Sequence, residues 1–267
     1  MNAIAAVVAR WRLALRLQRH RGRLGGRRGI GSGSSQEFFD FRDYAPGDDL
    51  RHVDWRGFAR TEQLRVRLFE AEVAPYCDVV VDPSASLAVT DQKAAAARAL
   101  LGVLLGLLRG EQAQAQVQAL GVGRIDPERI AFTSTVDSPG PLLAPLRAQG
   151  LRVLLTDGLW RTGGTALLRT LAASASWFLC VQLLDPWEAA PTVGDTLQLV
   201  DCETGATHER RLDRATVAEY TTRLQRLTDE LRATVVGSGG VFARVLADAP
   251  DVMVARDLAA AGVVEPA

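Results

Sequence analysis

The chain lacks several features that would assign it at once to a functional class. Its 267 residues carry equal numbers of basic and acidic side chains, 31 of each, so no excess charge draws it to nucleic acid. We therefore expect no nucleic-acid partner. The three cysteines are scattered and form no Cys-x-x-Cys pair, which argues against a zinc site and is typical of a reduced, cytoplasmic protein.

Long hydrophobic runs and known catalytic motifs are also missing. The most apolar stretch, residues 99–108, is far shorter than the roughly 20 residues of a transmembrane helix, so it predicts a buried helix. No Gly-x-x-x-x-Gly-Lys-Ser/Thr phosphate loop is present, and no histidine stands in a His-Glu-x-x-His context. We accordingly expect a protein that is not an enzyme.

Acidic residues are absent from the first 36 positions, which carry eight arginines. One interpretation is an amphipathic strip that touches anionic lipid or an acidic partner. The other is a helix packed on the domain, which the small number of apolar positions favours over membrane contact. Those apolar positions are Ile4, Val7, Trp11, Leu15 and Leu17.

The composition changes near residue 75. Residues 1–75 combine the arginine-rich arm with a segment dense in aromatic and charged residues, and predict an extension. In residues 76–267, short apolar runs alternate with helical patterns, which predicts an α/β domain with a mostly parallel sheet covered on both faces. The predicted strands are 78–81, 115–120, 129–132, 152–155, 178–184, 197–200 and 241–245, and the main predicted helices are 92–109 and 214–235. Gly102 and Gly106 predict a helix stripe that approaches the sheet closely.

Three of the predicted strands end at an aspartate: Asp82, Asp157 and Asp185. Such positions lie at the carboxyl edge of an open parallel sheet, where ligands bind. Asp82, Ser84 and Ser86 alternate with small residues, so one loop can turn three oxygens towards a point, and Asp157 can approach from another strand. This set predicts a site for Mg²⁺ or another divalent cation. The alternative is an ordinary helix N-cap at Asp82.

The segment Asp82-Pro83-Ser84-Ala85-Ser86, together with Thr156-Asp157-Gly158, resembles the metal-ion-dependent adhesion site of von Willebrand factor A-type domains. The resemblance implies a doubly wound, von Willebrand factor A-like fold in which these two strands are neighbours. It also implies a further hydroxyl ligand from a middle loop. The candidates there are Thr133, Ser134, Thr135 and Ser138.

A longer resemblance lies upstream, where the residues from Arg42 to Arg60 include Arg-Asp-Tyr-Ala-Pro-Gly-Asp-Asp-Leu-Arg-His-Val-Asp-Trp. This stretch closely resembles the signature of the bacterial "domain of unknown function 58" family, whose members are typically encoded beside MoxR-type AAA+ ATPases. The resemblance implies a cytoplasmic protein-interaction adaptor. Its partners would be such an ATPase and an unidentified protein client, in protein remodelling or maturation.

The signature has two physical interpretations. Pro46 and Gly47 predict a tight turn, and the arginines and acids around it can pair through bidentate hydrogen bonds. The paired charges would clamp the extension onto the main domain, or they would form a docking surface for the ATPase, with tryptophan and arginine as anchors. The residues involved are Arg42, Tyr44, Asp48, Arg51, Asp54, Trp55 and Arg60.

Two further functions stay open. A Mg²⁺-dependent phosphohydrolase would use Asp82 as its nucleophile, but such enzymes commonly place a second acid two positions later, where this chain has Ser84. A structural protein held at a membrane surface would use the arginine arm instead.

Overall fold

The computed structural model describes residues 3–15, 38–69, 75–135, 138–194, 196–202 and 205–267. The chain divides into two compact units. We call His20–Ala74 the hairpin unit, and Met1–Arg19 with Pro75–Ala267 the sheet unit. The first residues of the predicted extension therefore group with the sheet unit.

The described residues form twelve strands and seven α-helices. The strands, β1 to β12, are Trp11–Leu13, Phe38–Asp43, Arg65–Phe69, Tyr76–Val81, Gln114–Ala119, Gly123–Arg124, Leu151–Thr156, Trp177–Leu184, Thr196–Val200, Thr207–Arg211, Val241–Leu246 and Val264–Pro266. The α-helices, α1 to α7, are Ala3–Val8, Trp55–Thr61, Asp91–Gly110, Gly164–Ala172, Pro186–Ala189, Arg214–Gly237 and Pro250–Val252. Short 3₁₀ turns cover Leu50–His52, Ala85–Ala88 and Pro127–Arg129, and a π-helical turn covers Met253–Leu258.

A six-stranded sheet forms the centre of the sheet unit, in the order β11-β8-β7-β4-β5-β6. All neighbouring pairs are parallel except β5 and β6. The predicted mostly parallel sheet is thus confirmed. The strands that follow β4 in the chain, β5 and β6, lie on one side of it. β7 lies on the other side, and β8 and β11 continue from β7, so strand order reverses between β4 and β7. Ligands of open α/β sheets bind at the carboxyl side of such a switch point.

Both faces of this sheet are covered, because side chains alternate along each strand. Val79 and Val81 point into a core shared with α3, whereas Val80 points into a second core shared with α4 and α6. The central strands are buried on both sides, which explains why they read as continuous apolar runs in the sequence.

One predicted strand is absent, and another lies outside the predicted sheet. Residues 129–132 do not form a strand: the Asp126 side chain caps a 3₁₀ turn at Pro127, and the edge strand of the sheet is β6 instead. Ile130 and Phe132 are buried, so the alternation of apolar residues there comes from packing in the core and not from pairing with a neighbouring strand. Residues 197–200 do form a strand, but β9 pairs only with β10 among the described residues and lies outside the central sheet.

The glycine stripe of α3 faces the N-terminal helix and not the sheet, so the predicted role of Gly102 and Gly106 was wrong. A Cβ added at Gly102 would lie 2.9 Å from Ile4 Cδ1, and one added at Gly106 would lie 2.6 Å from Val8 Cγ2. These positions therefore let α1 approach α3 closely.

Replacing Gly106 with alanine should destabilise the protein by about 1–2 kcal/mol, as measured by urea unfolding. The added methyl group forces the β-branched Val8 to move, and overpacking of this kind costs about 1–3 kcal/mol. Removing a helical glycine returns up to about 1 kcal/mol, which is too little to compensate.

The matched control is Gly110→Ala, because an added Cβ there meets nothing within 4 Å. This variant should be as stable as the wild type or slightly more so. Combining Gly106→Ala with Val8→Ala should recover part of the loss. Equal stability of the Gly106 and Gly110 variants would contradict the close approach of α1.

The described part of the N-terminal arm, residues 3–15, packs on the sheet unit, which agrees with the second interpretation for this part of the arm. Ile4, Trp11 and Leu15 pack against the core that contains Val7, and β1 pairs antiparallel with β12. Leu17 lies outside the described residues. None of the helices in the described ranges has the length and apolar character needed to cross a bilayer.

The hairpin unit is built on the antiparallel pair β2 and β3. The tight turn predicted at Pro46-Gly47 is confirmed: Asp48 N donates to Ala45 O at 3.0 Å, and Gly47 has a φ of +105°. Positive φ at the third turn position favours glycine. Between this turn and β3 the chain forms the 3₁₀ turn at residues 50–52 and then α2.

Candidate functional site

The candidate site lies where strand order reverses, at the carboxyl ends of β4 and β7. We call the loops at residues 82–86 and 157–160 the switch-point rim. β4 and β7 are hydrogen-bonded neighbours, and Asp82 N donates to Leu155 O at 2.9 Å. The structure therefore brings the Asp82 loop and the Asp157 loop side by side.

Asp82 is held rigidly in this rim. One carboxylate oxygen accepts a hydrogen bond from Ser84 N at 3.0 Å, and the other accepts one from Thr156 Oγ1 at 2.7 Å. The alternative of a helix N-cap at Asp82 is met only in part, because the cap of the 3₁₀ turn at 85–88 is Ser84, and α3 is capped by Thr90.

Burial makes the Asp82 carboxylate costly to ionise. Its side chain is 2% exposed, and loss of hydration raises the pKa of Asp82 to about 6. The nearby charge of Asp157 acts in the same direction, while the hydrogen bonds from Thr156 and Ser84 oppose the rise. A cation close to Asp82 would therefore stabilise its ionised carboxylate.

The hydroxyl groups of the loop form a second part of the rim. Ser84 Oγ and Ser86 Oγ lie 3.0 Å apart. The middle loop comes next to them, because Ala85 N donates to Ser134 O and Ser134 N donates to Pro83 O, each at 2.9 Å. The exposed Thr133 and Thr135 flank this contact. Of the four candidates for a middle-loop ligand, these three thus lie beside the Asp82 loop.

Asp157 is paired with a buried lysine. Lys93 Nζ donates to Asp157 Oδ2 at 3.1 Å, and the side chains are 0% and 1% exposed. The same ammonium group donates to Glu188 at 2.9 Å. Asp157 Oδ1 accepts from Leu159 N, and Gln182 Nε2 donates to the main-chain oxygen of Asp157 at 3.0 Å. Asp157 is therefore fixed from several sides.

Asp185, the third aspartate at a strand end, has a structural task. Its side chain accepts hydrogen bonds from Trp187 N and from Thr90 Oγ1, while Glu188 accepts from Asp185 N, which forms a capping box at the start of α5. The N-cap interpretation therefore applies to Asp185. Through Thr90, which also caps α3, it links the ends of β8 and the first turn of α3.

The donor set fits a hard divalent cation in part. Adjacent ligands of an octahedral Mg²⁺ ion with bonds of about 2.0–2.1 Å lie about 2.9–3.0 Å apart. The two serine oxygens have this separation. Among the described residues, however, no three His, Cys, Asp or Glu side chains come together as metal ligands. An ion at the rim would need Asp82, Ser84 and Ser86, with water in the remaining positions.

Three residues of the rim network were not predicted from the sequence: Lys93, Thr156 and Glu188. Thr156 directly precedes Asp157, and Glu188 stands three positions after Asp185, the spacing of a capping box. Lys93 carried a clearer signal, because it is the only lysine in the chain and lies in the first turn of a largely buried helix.

The predicted residues of the signature lie in the hairpin unit and pair locally. Arg42 donates two hydrogen bonds, of 2.5 and 2.7 Å, to the carboxylate of Asp48, and Arg51 forms an ion pair with Asp49. Hydrogen bonding to Arg51 lowers the pKa of Asp49 to about 2. The clamp onto the sheet unit stays a prediction.

The other signature residues lie in the same hairpin unit. Tyr44 N donates to Leu64 O, and Arg60 Nε donates to Arg56 O. Asp54 directly precedes α2. Trp55 is 53% exposed and meets Phe58 edge to face, with ring centroids 6.4 Å apart. An exposed tryptophan beside arginines is typical of a protein-binding surface.

Comparison with known proteins gives a family match and several relatives. Residues 40–112 match the family described as "Protein of unknown function DUF58", which confirms the predicted family resemblance. The "Uncharacterized protein Mb1516" of Mycobacterium bovis and the "Uncharacterized protein Rv1480" of Mycobacterium tuberculosis are each 29% identical over 238 residues. These alignments cover 79% of this chain and 74% of each relative.

Two solved structures show weak similarity. One is the conserved hypothetical protein BatB from Bacteroides thetaiotaomicron, with a TM-score of 0.38 and 13% identity over 66% of this chain and 92% of that chain. The other is an aerotolerance-related membrane protein from Bacteroides fragilis that carries multiple mutations to serines. Its TM-score is 0.34, with 15% identity over 67% of this chain and 94% of that chain.

Proposed function

Taking the DUF58 match of residues 40–112 as the premise, we propose that the chain is a non-enzymatic adaptor with a von Willebrand factor A-like sheet unit. Its switch-point rim binds an acidic side chain of a partner protein. A MoxR-type AAA+ ATPase supplies the energy, and the two together remodel or mature a protein client. The observation that carries this proposal is the convergence of Asp82, Ser84 and Asp157 from two neighbouring strands.

The topology supports this proposal. The rim lies at the position where open α/β sheets bind ligands, and it is built from buried side chains that are locked by hydrogen bonds. Such preorganisation reduces the entropy lost on binding. A set of fixed oxygens at a sheet edge has no evident use in packing, whereas Asp185 serves as a helix cap.

A divalent cation would be held by Asp82, Ser84 and Ser86, with Asp157 in its surroundings. When bound, it supplies a coordination position that a carboxylate oxygen of the partner can fill. The protein's own contribution is to fix the serine oxygens 3.0 Å apart and to keep Asp82 buried and ready for a cation.

The hairpin unit provides a second candidate surface, centred on Trp55. Its exposed arginines would contact the ATPase, since tryptophan and arginine commonly dominate binding energy at protein interfaces. Substitution of Trp55 with alanine tests this surface independently of the rim.

The contacts of Asp82 favour the adaptor over the phosphohydrolase. Both carboxylate oxygens accept internal hydrogen bonds, one of which phosphorylation of the carboxylate would disrupt, whereas a cation can share an oxygen that already accepts one hydrogen bond. The residue two positions on, Ser84, carries no acid. A phosphatase assay with Mg²⁺ decides the matter: turnover that disappears in Asp82→Asn would establish the enzyme.

The test of the adaptor is capture of the MoxR-type ATPase by the full chain. Asp82→Asn should weaken capture at least about tenfold, because the amide cannot neutralise a cation at the rim. The matched control is Asp229→Asn, an exposed acid on α6, which should bind as the wild type does. Binding would be measured by isothermal titration calorimetry with Mg²⁺ present. Unchanged capture by Asp82→Asn would contradict the proposed role of the rim.

A further inference from the structure

Lys93 stands out in the composition of the chain. Its 31 basic residues include one lysine, and every other basic residue is an arginine. This single lysine is fully buried, although lysine is among the residues that are almost never fully buried unless paired. The only lysine of the chain thus lies buried beside the candidate site.

The position of Lys93 is set by the helix that follows the Asp82 loop. Thr90 caps α3, and its hydroxyl oxygen accepts a hydrogen bond from Lys93 N at 3.0 Å. The lysine thus lies in the first turn of α3, and its side chain reaches Asp157 on one side and Glu188 on the other. Glu188 is held in turn by Asp185 N at 2.7 Å. Main-chain N–H groups therefore hold both carboxylates in place independently of the ammonium group.

Lys93 neutralises only part of the negative charge beside it. Asp82, Asp157, Asp185 and Glu188 supply four carboxylates at this edge of the sheet, and Lys93 supplies one ammonium group. The lysine takes one oxygen of Asp157 and both oxygens of Glu188. Asp82, in contrast, receives only neutral donors, from Ser84 and Thr156. The excess of negative charge therefore lies on the Asp82 side.

We propose that Lys93 is the resident cation of the switch-point rim. Its ammonium group neutralises Asp157, so the folded rim does not depend on a metal ion. The same positive charge repels a divalent ion bound at Asp82, Ser84 and Ser86, and so lowers the affinity of the rim for that ion. This inference rests on the proposed function in taking the Asp82 loop as the ion-binding side.

The choice of lysine over arginine agrees with this role. An ammonium group is a compact point charge with three donors, whereas a guanidinium group is a wide planar fork. The two acceptors of Lys93 come from different elements, the loop after β7 and the short helix α5. A compact charge can sit between them in the way that a small metal ion would.

The test compares Mn²⁺ binding and thermal unfolding in the full chain, since Mn²⁺ prefers the same oxygen ligands as Mg²⁺. The melting temperature of the wild type should differ little between EDTA and Mn²⁺. Lys93→Met should melt at a lower temperature in EDTA, because Asp157 and Glu188 lose their counter-charge, and Mn²⁺ should restore most of the loss. Its affinity for Mn²⁺ should exceed that of the wild type by at least about tenfold.

A second variant covers the case in which Lys93→Met does not fold. Lys93→Met with Glu188→Gln removes one positive and one negative charge together, and so leaves the net charge of the rim unchanged. This protein should fold in EDTA and still bind Mn²⁺ more tightly than the wild type, because Asp157, which follows the strand next to Asp82, loses the ammonium group that neutralises it. A purely structural ion pair predicts no such gain.

The outcomes separate the two proposals. Equal Mn²⁺ affinity in the wild type and in the double variant would overturn the role of Lys93 and leave the proposed function standing. Absence of Mn²⁺ binding in all three proteins would overturn both this inference and the ion-binding part of the proposed function. Because Lys93 is the only lysine, ¹⁵N-lysine labelling gives one side-chain ammonium signal. That signal should shift on addition of Mg²⁺, and an unmoved signal at saturating Mg²⁺ would count against the inference.

Discussion

Replacing Asp82 with asparagine should stabilise the protein at pH 7 in EDTA by about 2 kcal/mol, while it weakens partner capture at least about tenfold. Burial raises the pKa of Asp82 from 3.8 to about 6, which corresponds to about 3 kcal/mol of destabilisation once both states are ionised. An asparagine is never ionised and avoids this cost. The substitution also disturbs the hydrogen bond from Thr156, which lowers the stability gain by about 1 kcal/mol.

The sign of the pH dependence follows from the same pKa. Between pH 4 and 6 the folded state keeps a proton on Asp82 that the unfolded state has already released, so stability falls as the pH rises through this range. The unfolding free energy of Asp82→Asn relative to the wild type should rise by about 3 kcal/mol, from about 1 kcal/mol below the wild type under pH 4 to about 2 kcal/mol above it over pH 6. Urea unfolding at a series of pH values measures it.

Glu188 provides an internal check on this interpretation. Burial raises its pKa as well, so it contributes a pH dependence of the same sign in both proteins. Only the difference between the wild type and Asp82→Asn isolates Asp82. Parallel stability curves for the two proteins from pH 4 to 7 would show that Asp82 is not buried as an unpaired carboxylate.

The parts of the fold that sequence reasoning predicted are those with strong local signals. β4, β7 and β8 are continuous apolar runs because both faces of the sheet are covered, and their ends are marked by Asp82, Asp157 and Asp185. Pro46 and Gly47 marked a turn for equally local reasons. The acids of the rim were found because each one terminates a strand.

The features that were missed depend on contacts between distant parts of the chain. Lys93 meets Asp157 and Glu188, which lie 64 and 95 residues away along the sequence, and no local pattern reports such pairing. The glycine stripe of α3 was assigned to the sheet because the sequence does not say which neighbour a helix face will meet. Ile130 and Phe132 show that buried alternating residues need not belong to a strand.

Replacing Arg152 with leucine should destabilise the protein by about 3–4 kcal/mol. The guanidinium group is 3% exposed and donates to four main-chain oxygens: those of Leu171, Ala173 and Thr170 near the end of α4, and that of Arg147 at 3.1 Å. Leucine has no donors, so it leaves these buried oxygens without partners. Urea unfolding measures the loss.

The matched control is Arg169→Leu, an exposed arginine on α4, the helix whose last carbonyl groups Arg152 contacts, and it should change stability by less than about 0.5 kcal/mol. A loss below about 1 kcal/mol in Arg152→Leu would show that water can replace the guanidinium group. Arg152 lies in β7, at the end opposite Asp157, so its loss should lower ATPase capture only in proportion to the fraction of unfolded protein. Asp82→Asn should lose capture while gaining stability. Because the two variants move stability in opposite directions, a loss of capture in both cannot come from unfolding alone, and only the rim explains it in Asp82→Asn.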